Sequence, residues 1–209
     1  MTAGVAGPLT PFAARAGIAA ELETLAASLQ RVTARIHTRA RRGAGGIGAG
    51  VVWSPRGLVV TNAHVVAAAS ARWPLVELAD GRLFEARLVA DDDEQDLAVL
   101  ALEDSSQPIE AAVIGDGRTL RVGQLLVAVG HPLGVADSLS VGVVHAIRGA
   151  ADRWVRADIR LAPGNSGGPL ATLDGAVVGI NSMVVRGLGI AISANAVADF
   201  VARAEGRGG

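Results

Sequence analysis

The sequence PGNSGGPL at residues 163–170 is the stretch around which the chain is organised. Glycine permits positive φ and close backbone approach, and proline fixes φ, so this octapeptide predicts a rigid turn rather than a helix or a strand. Such a turn can present one hydroxyl while neighbouring backbone N–H groups point into a shared concavity, as acyl transfer requires around a nucleophile. Ser166 is therefore the candidate nucleophile, and a plain glycine-rich surface loop is the alternative.

Composition favours an all-β fold class. Half of the 209 residues are apolar but only 3% are aromatic, and 27 glycines separate many short runs of Val, Ile and Leu. Short apolar runs between turn signals are typical of a domain with many strands, and a chain of this length can bury a sizeable core. We count five or six strands on each side of residues 106–112, which indicates two similar β units.

The charge pattern argues against a nucleic-acid partner. The formal net charge is −1, and the 19 basic residues, all arginine, are scattered apart from Arg39, Arg41 and Arg42. A nucleic-acid surface usually carries a basic stripe, which is missing here. The chain has no cysteine, so it has neither disulfides nor thiolate metal sites.

We expect a soluble cytoplasmic protein without a membrane partner. No apolar run approaches membrane-spanning length, and the first residues do not have the pattern of a signal peptide. If the natural start lies elsewhere, an extracytoplasmic location is the alternative. We expect no cofactor and no metal. The acidic run at residues 91–96 lacks the glycine and the spaced ligands of a calcium loop, and we interpret it as a solvated turn.

The sequence divides into four segments. Residues 1–27 form a tail and an amphipathic helix, and the apolar positions of that helix recur at spacings of four, three and four, namely Ile18, Leu22, Leu25 and Leu29. Residues 1–16 are predicted to be a flexible or loosely docked tail. The remaining segments are a first β unit, a linker, and a second β unit with a closing helix, at residues 28–105, 106–112 and 113–209.

A serine hydroxyl needs a histidine base, which a carboxylate must orient, and chain order narrows the choice. The turn also fits the GxSxG elbow of α/β-hydrolases, whose histidine follows the serine, but the last histidine here is His145. The subtilisin order places the aspartate first, and the first aspartate here is Asp80. That order survives only with His131 or His145 as base, and the β-rich pattern argues against its α/β fold.

The remaining order is histidine, aspartate, serine, as in chymotrypsin-type enzymes, and His64, Asp96 and Ser166 fit it. His64 is read at the end of an apolar strand, and Asp96 ends the acidic run. Since both belong to the first β unit and Ser166 to the second, the site is predicted to lie between the two units.

Three motifs resemble the catalytic motifs of trypsin-like serine proteases of the HtrA/Deg branch: TNAHVV at residues 61–66, DLAVL at 96–100 and PGNSGGPL. The resemblance covers about residues 28–205. It extends to GDGRTLRVGQLLVAVGHPLG, SVGVVHAIRG, GAVVGINSMV and GLGIAISANAV. It implies two six-stranded antiparallel β-barrels with an N-terminal and a closing C-terminal helix, and a serine endopeptidase whose substrates are unfolded or extended polypeptides.

The resemblance also implies a role for each matching residue. Ser166 is similar to the family's nucleophile, His64 to its general base, and Asp96 to the carboxylate that orients the base. The backbone N–H groups of Gly164 and Ser166 resemble the oxyanion hole.

Substrate contacts are implied in the same way. Residues Asn181, Ser182, Met183 and Val184 resemble the strand that pairs with the substrate backbone. Residues 159–163, together with Gly189, Ile190 and Ala191, would line the primary specificity pocket. Those positions offer no acidic residue, so we expect cleavage after small or medium aliphatic residues.

Some features leave alternatives open. His131 stands where the family often has asparagine, and we read it as a loop residue rather than a pH-sensitive one. The sequence ends shortly after the closing helix, so we expect a protease domain without a PDZ domain. A slow or resting enzyme that acts as a peptide-binding, chaperone-like module is the alternative function, and a homotrimer assembled through the N-terminal segment is a further hypothesis.

Overall fold

Two closed antiparallel β-barrels account for most of the chain that the structure describes. The structure is a computed structural model, and it describes residues 12–38, 46–67, 74–105, 107–131, 138–146 and 153–206. The predicted all-β fold of two six-stranded barrels with a helix at each end is confirmed. The predictions for residues 1–11 and for Arg39, Arg41 and Arg42 lie outside the described residues.

The first barrel contains the strands β1 (Thr33–Thr38), β2 (Gly46–Ser54), β3 (Leu58–Thr61), β4 (Leu75–Glu77), β5 (Leu83–Asp92) and β6 (Leu97–Leu102). It closes in the order β1-β2-β3-β6-β5-β4, with every neighbouring pair antiparallel. Alternate side chains of each strand point inward, and the interior is filled by aliphatic residues such as Ile36, Val52, Val59 and Leu100. The low aromatic content is therefore compatible with a closed core.

The second barrel repeats this arrangement with β7 (Leu125–Gly130), β8 (Ser138–Ala146), β9 (Trp154–Asp158), β10 (Pro169–Thr172), β11 (Val177–Val185) and β12 (Leu188–Ser193). Its order is β10-β11-β12-β9-β8-β7, again antiparallel throughout. Leu126, Val155, Leu170 and Val178 belong to its core. The PGNSGGPL turn leads directly into β10, so the second barrel carries the candidate nucleophile.

The connection between the barrels is anchored at both ends. Residues 107–112 contain neither helix nor strand. Ile109 is buried in the core of the first barrel, and the N–H of Ala112 donates to the carbonyl of Val52 at 2.8 Å. Ile114 then forms a bridge to Val177 of the second barrel.

The N-terminal helix α1 (Phe12–Arg31) packs on the outside of the second barrel. Leu25 and Leu29 are buried against Val127 and Val129, whereas Ile18 is 62% exposed. The helix begins at Phe12, so the predicted tail is wrong for residues 12–16. The apolar period starts only at Ile18, but the preceding residues are rich in alanine, which favours helix without such a period.

The closing helix α3 (Ala194–Gly206) starts where Ser193 predicts it, and the hydroxyl of Ser193 accepts the N–H of Ala196 at 3.4 Å. In the described part of the chain, no helix combines the length and the apolarity that crossing a membrane requires.

One apolar cluster joins the two barrels and α3. It is made of Val51, Val60, Leu97, Val99, Ile180, Ile192, Val197, Phe200, Val201 and Ala204. The first four come from the first barrel, the next two from the second barrel and the last four from α3. This shared core fixes the two barrels relative to each other.

Candidate active site

His64 lies in the short helix α2 (Ala63–Ala67), directly after β3. The expectation of a histidine at the end of a strand is therefore wrong. The chain turns into a helix because the carbonyl of Asn62 accepts the N–H groups of Val65 and Val66, at 3.2 and 3.4 Å. The His64 side chain is half exposed, at 51%, and can reach a bound substrate.

Asp96 is the last residue of the turn between β5 and β6, as its place at the end of the acidic run predicts. Its φ is +52°, a left-handed conformation that Asp adopts more readily than most residues. Its carboxylate accepts a hydrogen bond from His64 Nδ1, 2.8 Å from Oδ1 and 3.0 Å from Oδ2. Since an ionised carboxylate only accepts, Nδ1 carries a proton, and in the neutral imidazole the lone pair is then on Nε2.

The Asp96 carboxylate forms a hydrogen bond that connects the two barrels. Its side chain is 15% exposed, and Oδ2 accepts the hydroxyl of Ser182, from β11 of the second barrel, at 2.5 Å. Burial raises the pKa of Asp96, but hydrogen bonds from the His64 ring and main chain and from Ser182 lower it, and the net pKa lies below the ordinary value. The carboxylate is therefore ionised at neutral pH.

The Ser166 turn is held through its main chain. The carbonyl of Ser166 accepts the N–H of Ala49 in the first barrel at 2.9 Å, and the N–H of Gly167 donates to Asn181 at 2.8 Å. Gly167 has a φ of +85°, and a Cβ there would collide with the main-chain oxygen of Ala49 and with Thr61. Glycine at this position is therefore needed both for its backbone conformation and for the close contact between the barrels.

The Ser166 hydroxyl donates to the main-chain carbonyl of Ser182 at 3.0 Å. Within the described residues, the structure has no hydrogen bond between this hydroxyl and His64. To donate to His64 Nε2, as its predicted role requires, the hydroxyl would have to leave the carbonyl of Ser182.

The predicted oxyanion donors lie beside that hydroxyl. Among the described residues, the N–H groups of Gly164 and Ser166 have no hydrogen-bond acceptor. Gly164 has a φ of +104°, and its carbonyl is occupied by the N–H of His131 at 3.0 Å. Neither N–H group is therefore committed to another group of the described chain. His131 itself is buried, at 5% exposure, at the end of β7 and behind the turn.

A cleft of about 340 Å³ opens beside Ser166. Among the described residues, its lining has no charged side chain and consists of Leu161, Ala162, Pro163, Asn165, Ser166, Asn181, Ser182, Met183 and Val184. Four of the predicted substrate-binding residues thus lie at this cleft, namely Asn181, Ser182, Met183 and Val184. Three others, Gly189, Ile190 and Ala191, lie on β12 and are not among the lining residues.

Gly189 instead supports the cleft wall from behind. A Cβ at this position would come within 2.7 Å of Ile159 Cγ2 and 3.1 Å of Leu161 Cδ1. The cleft wall formed by Leu161 therefore packs directly on β12, and any larger residue at Gly189 would displace it.

Sequence reasoning missed two contacts of Asp96. Asn62 Nδ2 donates to the main-chain carbonyl of Asp96 at 2.9 Å, and the Ser182 hydroxyl binds its carboxylate. Asn62 and Ser182 are 0% and 4% exposed, so both are buried polar side chains next to apolar runs. A buried polar residue usually has a hydrogen-bond partner, but the sequence does not reveal which residue that partner is.

Comparison with known proteins agrees with this geometry. Residues 48–180 match the family described as a trypsin-like peptidase domain. A probable periplasmic serine endoprotease, DegP-like, of Halomonas elongata is 40% identical over 153 residues, which cover 71% of this chain and 31% of that protein. The mitochondrial serine protease HTRA2 of Drosophila pseudoobscura pseudoobscura is 37% identical over 170 residues, covering 77% and 39%.

A third relative, the putative serine protease HhoA of Synechocystis, is 36% identical over 159 residues, covering 70% of this chain and 40% of that protein. The chain thus spans 31–40% of the length of these relatives. Their names confirm the resemblance to the HtrA/Deg branch that the three motifs indicate.

Proposed function

Because this chain belongs to the trypsin-like peptidase family, we propose that it is a serine endopeptidase of HtrA/Deg type that hydrolyses unfolded or extended polypeptides. The observation that carries the proposal is the hydrogen-bonded link between the two barrels through Ser182, which donates to Asp96 and accepts from Ser166. The first barrel contributes the hydrogen-bonded His64–Asp96 pair, and the second contributes Ser166 on a rigid glycine turn.

In the proposed mechanism, the Ser166 hydroxyl attacks the scissile carbonyl and passes its proton to His64 Nε2. Asp96 keeps the proton of the ring on Nδ1 and stabilises the imidazolium that forms. His64 then protonates the leaving amine, which leaves an acyl-enzyme on Ser166. A water molecule, deprotonated by His64, hydrolyses the ester and restores the hydroxyl.

The oxyanion of each tetrahedral intermediate is proposed to bind the N–H groups of Gly164 and Ser166. The loss of one such donor typically lowers kcat by about 10²–10³-fold. Their lack of acceptors among the described residues supports this role, since donors that bind a transition state must not be committed elsewhere.

The substrate is proposed to be an extended polypeptide that pairs with Asn181, Ser182 and Met183 on β11. Met183 and Val184 are 43% and 51% exposed, so this part of the strand is accessible. The uncharged cleft beside Ser166 favours a small or medium aliphatic residue before the scissile bond. Cleavage-site profiling on a denatured protein mixture tests this preference, and predominant cleavage after Arg or Lys would contradict it.

The decisive experiment is labelling with a fluorophosphonate probe together with hydrolysis of a denatured protein. We expect both from the wild-type chain and neither from Ser166→Ala. If the wild-type chain shows no labelling and no hydrolysis above the Ser166→Ala control, the endopeptidase proposal is wrong.

The second candidate function is a weakly active or resting protease that serves as a peptide-binding, chaperone-like module. The orientation of the Ser166 hydroxyl supports it. The hydroxyl donates to Ser182 and must leave it before catalysis. This candidate predicts slow labelling together with suppression of aggregation of a denatured protein, and the suppression should persist in Ser166→Ala.

The homotrimer and the cytoplasmic location stay proposals. If residues 1–27 assemble the trimer, their deletion should lower the mass measured by light scattering to that of a monomer. An unchanged mass would reject this role. No nucleic-acid partner is proposed.

A further inference from the structure

We propose that Asn62 is a positioning residue that fixes the Asp96 carboxylate relative to His64. The inference rests on the proposed triad, and it adds a residue outside that triad. Asn62 is not among the residues that line the cleft, and the hydrogen bond of its side chain goes to the main chain of Asp96, so the side chain is inferred to act through Asp96.

Asn62 belongs to both halves of the His64–Asp96 pair. It lies two residues before His64 in the chain, and its carbonyl accepts the N–H groups of Val65 and Val66 in α2. Its side chain reaches across to the turn before β6, where Nδ2 donates to the carbonyl of Asp96 at 2.9 Å. Asn62 is fully buried and thus connects the helix that contains His64 to the main chain of Asp96, which is 34 residues away in the sequence.

The backbone of Asp96 is where such a connection matters. With a φ of +52°, Asp96 is in the left-handed region, which is less favourable than extended backbone for a residue with a Cβ. A change of this conformation would swing the carboxylate away from His64 Nδ1. The bonds from His64 and Ser182 hold the carboxylate end of the residue, whereas the bond from Asn62 holds its main chain.

The other end of the Asn62 side chain argues against a role in stability alone. Oδ1 is buried and has no hydrogen-bond partner among the described residues. The reverse orientation of the amide would set Oδ1 against the carbonyl of Asp96, oxygen to oxygen, so the donating orientation is the favourable one. A buried acceptor without a partner destabilises the fold, and an apolar side chain of equal size would avoid this cost.

Two substitutions separate positioning from stability. Asn62→Ala removes the donor and leaves a cavity, so it also lowers stability. Asn62→Leu removes the donor and the unpaired acceptor while it keeps the branching at Cγ and leaves no cavity. The control is Thr33→Val, because Thr33 is buried and its hydroxyl donates to the carbonyl of Leu29 at 2.7 Å, remote from the candidate site. That control loses a buried bond of the same type.

Each variant is tested as the full chain by steady-state kinetics per folded molecule. We expect kcat to fall about tenfold or more in Asn62→Leu and Asn62→Ala, because small displacements of catalytic groups have large effects on rate. KM should change less than about twofold, since Asn62 does not contact the cleft. Thr33→Val should keep the wild-type kcat.

A second readout does not depend on activity, so failure of this inference is distinguishable from failure of the proposed function. In the Ser166→Ala background, NMR of labelled histidine reports the proton that His64 Nδ1 donates to Asp96. Its resonance should move upfield in both Asn62 variants, because the hydrogen bond weakens, and stay in place in Thr33→Val. If the resonance is unchanged in Asn62→Leu, or if that variant keeps the wild-type kcat, Asn62 has only a structural role.

Discussion

The two barrels hold their parts of the candidate site by different means. In the first barrel, the His64–Asp96 pair is held mainly through side chains, with further bonds from Asn62 and Ser182. In the second barrel, the turn around Ser166 is held by main-chain hydrogen bonds from Ala49 and to neighbouring strands.

This difference predicts two kinds of response to mutation. A single substitution can remove one side-chain hydrogen bond. Substitutions in the first barrel should therefore lower activity by different amounts and leave the fold intact. The main-chain turn leaves no room for a Cβ, so changes there should damage the fold and the chemistry together.

The largest effect is expected from His64→Ala, which removes the proposed base and should lower kcat by about 10⁶-fold. Asp96→Asn should lower it by about 10⁴-fold, since the base remains but loses its orienting carboxylate. Both are measured as hydrolysis of a denatured protein, with the melting temperature as a control for folding. If His64→Ala keeps more than about a hundredth of the wild-type kcat, another residue such as His131 is the base.

The second prediction tests the turn with two glycines of nearly equal φ. Gly167 and Gly187 have φ of +85° and +84°, but only Gly167 has atoms in the way of a Cβ. Gly167→Ala should lower the free energy of unfolding by at least about 3 kcal/mol and abolish fluorophosphonate labelling, because strain and a backbone clash add up.

Gly187→Ala is the matched control and should cost only about 1 kcal/mol, from backbone strain alone. Urea unfolding measures both variants. Equal losses in the two would contradict the argument that the turn is limited by close contact between the barrels.

The sequence predicted the candidate residues and the main elements of the fold, but not the hydrogen bonds around those residues. The three motifs predicted the positions of His64, Asp96 and Ser166, because their residue types and chain order are themselves sequence features. The strand count and the closing helix followed from apolar patterning and from Ser193.

The bonds around these residues could not be predicted. The contact of Asp96 with Ser182 joins residues 86 positions apart, and it exists only because the shared apolar core sets one barrel against the other. Local preference also misled the interpretation of His64, where the apolar run after β3 continues into a helix. The orientation of the Ser166 hydroxyl is a single rotamer, which no sequence pattern determines.

The third prediction concerns that bond between the barrels. Ser182→Ala removes a hydrogen bond to an ionised carboxylate, which is typically worth about 1.5 kcal/mol or more, so kcat/KM should fall about tenfold. Ser28→Ala is the control, because the hydroxyl of Ser28 donates to the carbonyl of Leu25 in α1, away from the site. An unchanged kcat/KM in Ser182→Ala would mean that the bond does not orient Asp96.

Ser182→Ala should also change how the free energy of unfolding depends on pH under acidic conditions. The pKa of Asp96 is lowered in the folded state, so its ionised form stabilises the fold at neutral pH, and this contribution is lost as the pH falls from about 4 through the folded-state pKa. Without Ser182 the folded-state pKa should rise toward the ordinary value. The free energy of unfolding should then depend less on pH in this range than it does in the wild type, as urea unfolding at several acidic pH values can measure.

The smallest effect is expected from the exposed ion pair between Arg56, in the turn after β2, and Glu205, near the end of α3. The two atoms, Nη2 and Oε1, are 2.9 Å apart, but the side chains are 79% and 45% exposed. Solvent screens such pairs, so Glu205→Gln should change the free energy of unfolding by less than about 0.5 kcal/mol. Phe200, in the apolar cluster of the same helix, is 6% exposed, and Phe200→Ala should cost about 3 kcal/mol or more. A loss above about 1 kcal/mol in Glu205→Gln would show that charge, and not the apolar core alone, joins α3 to the first barrel.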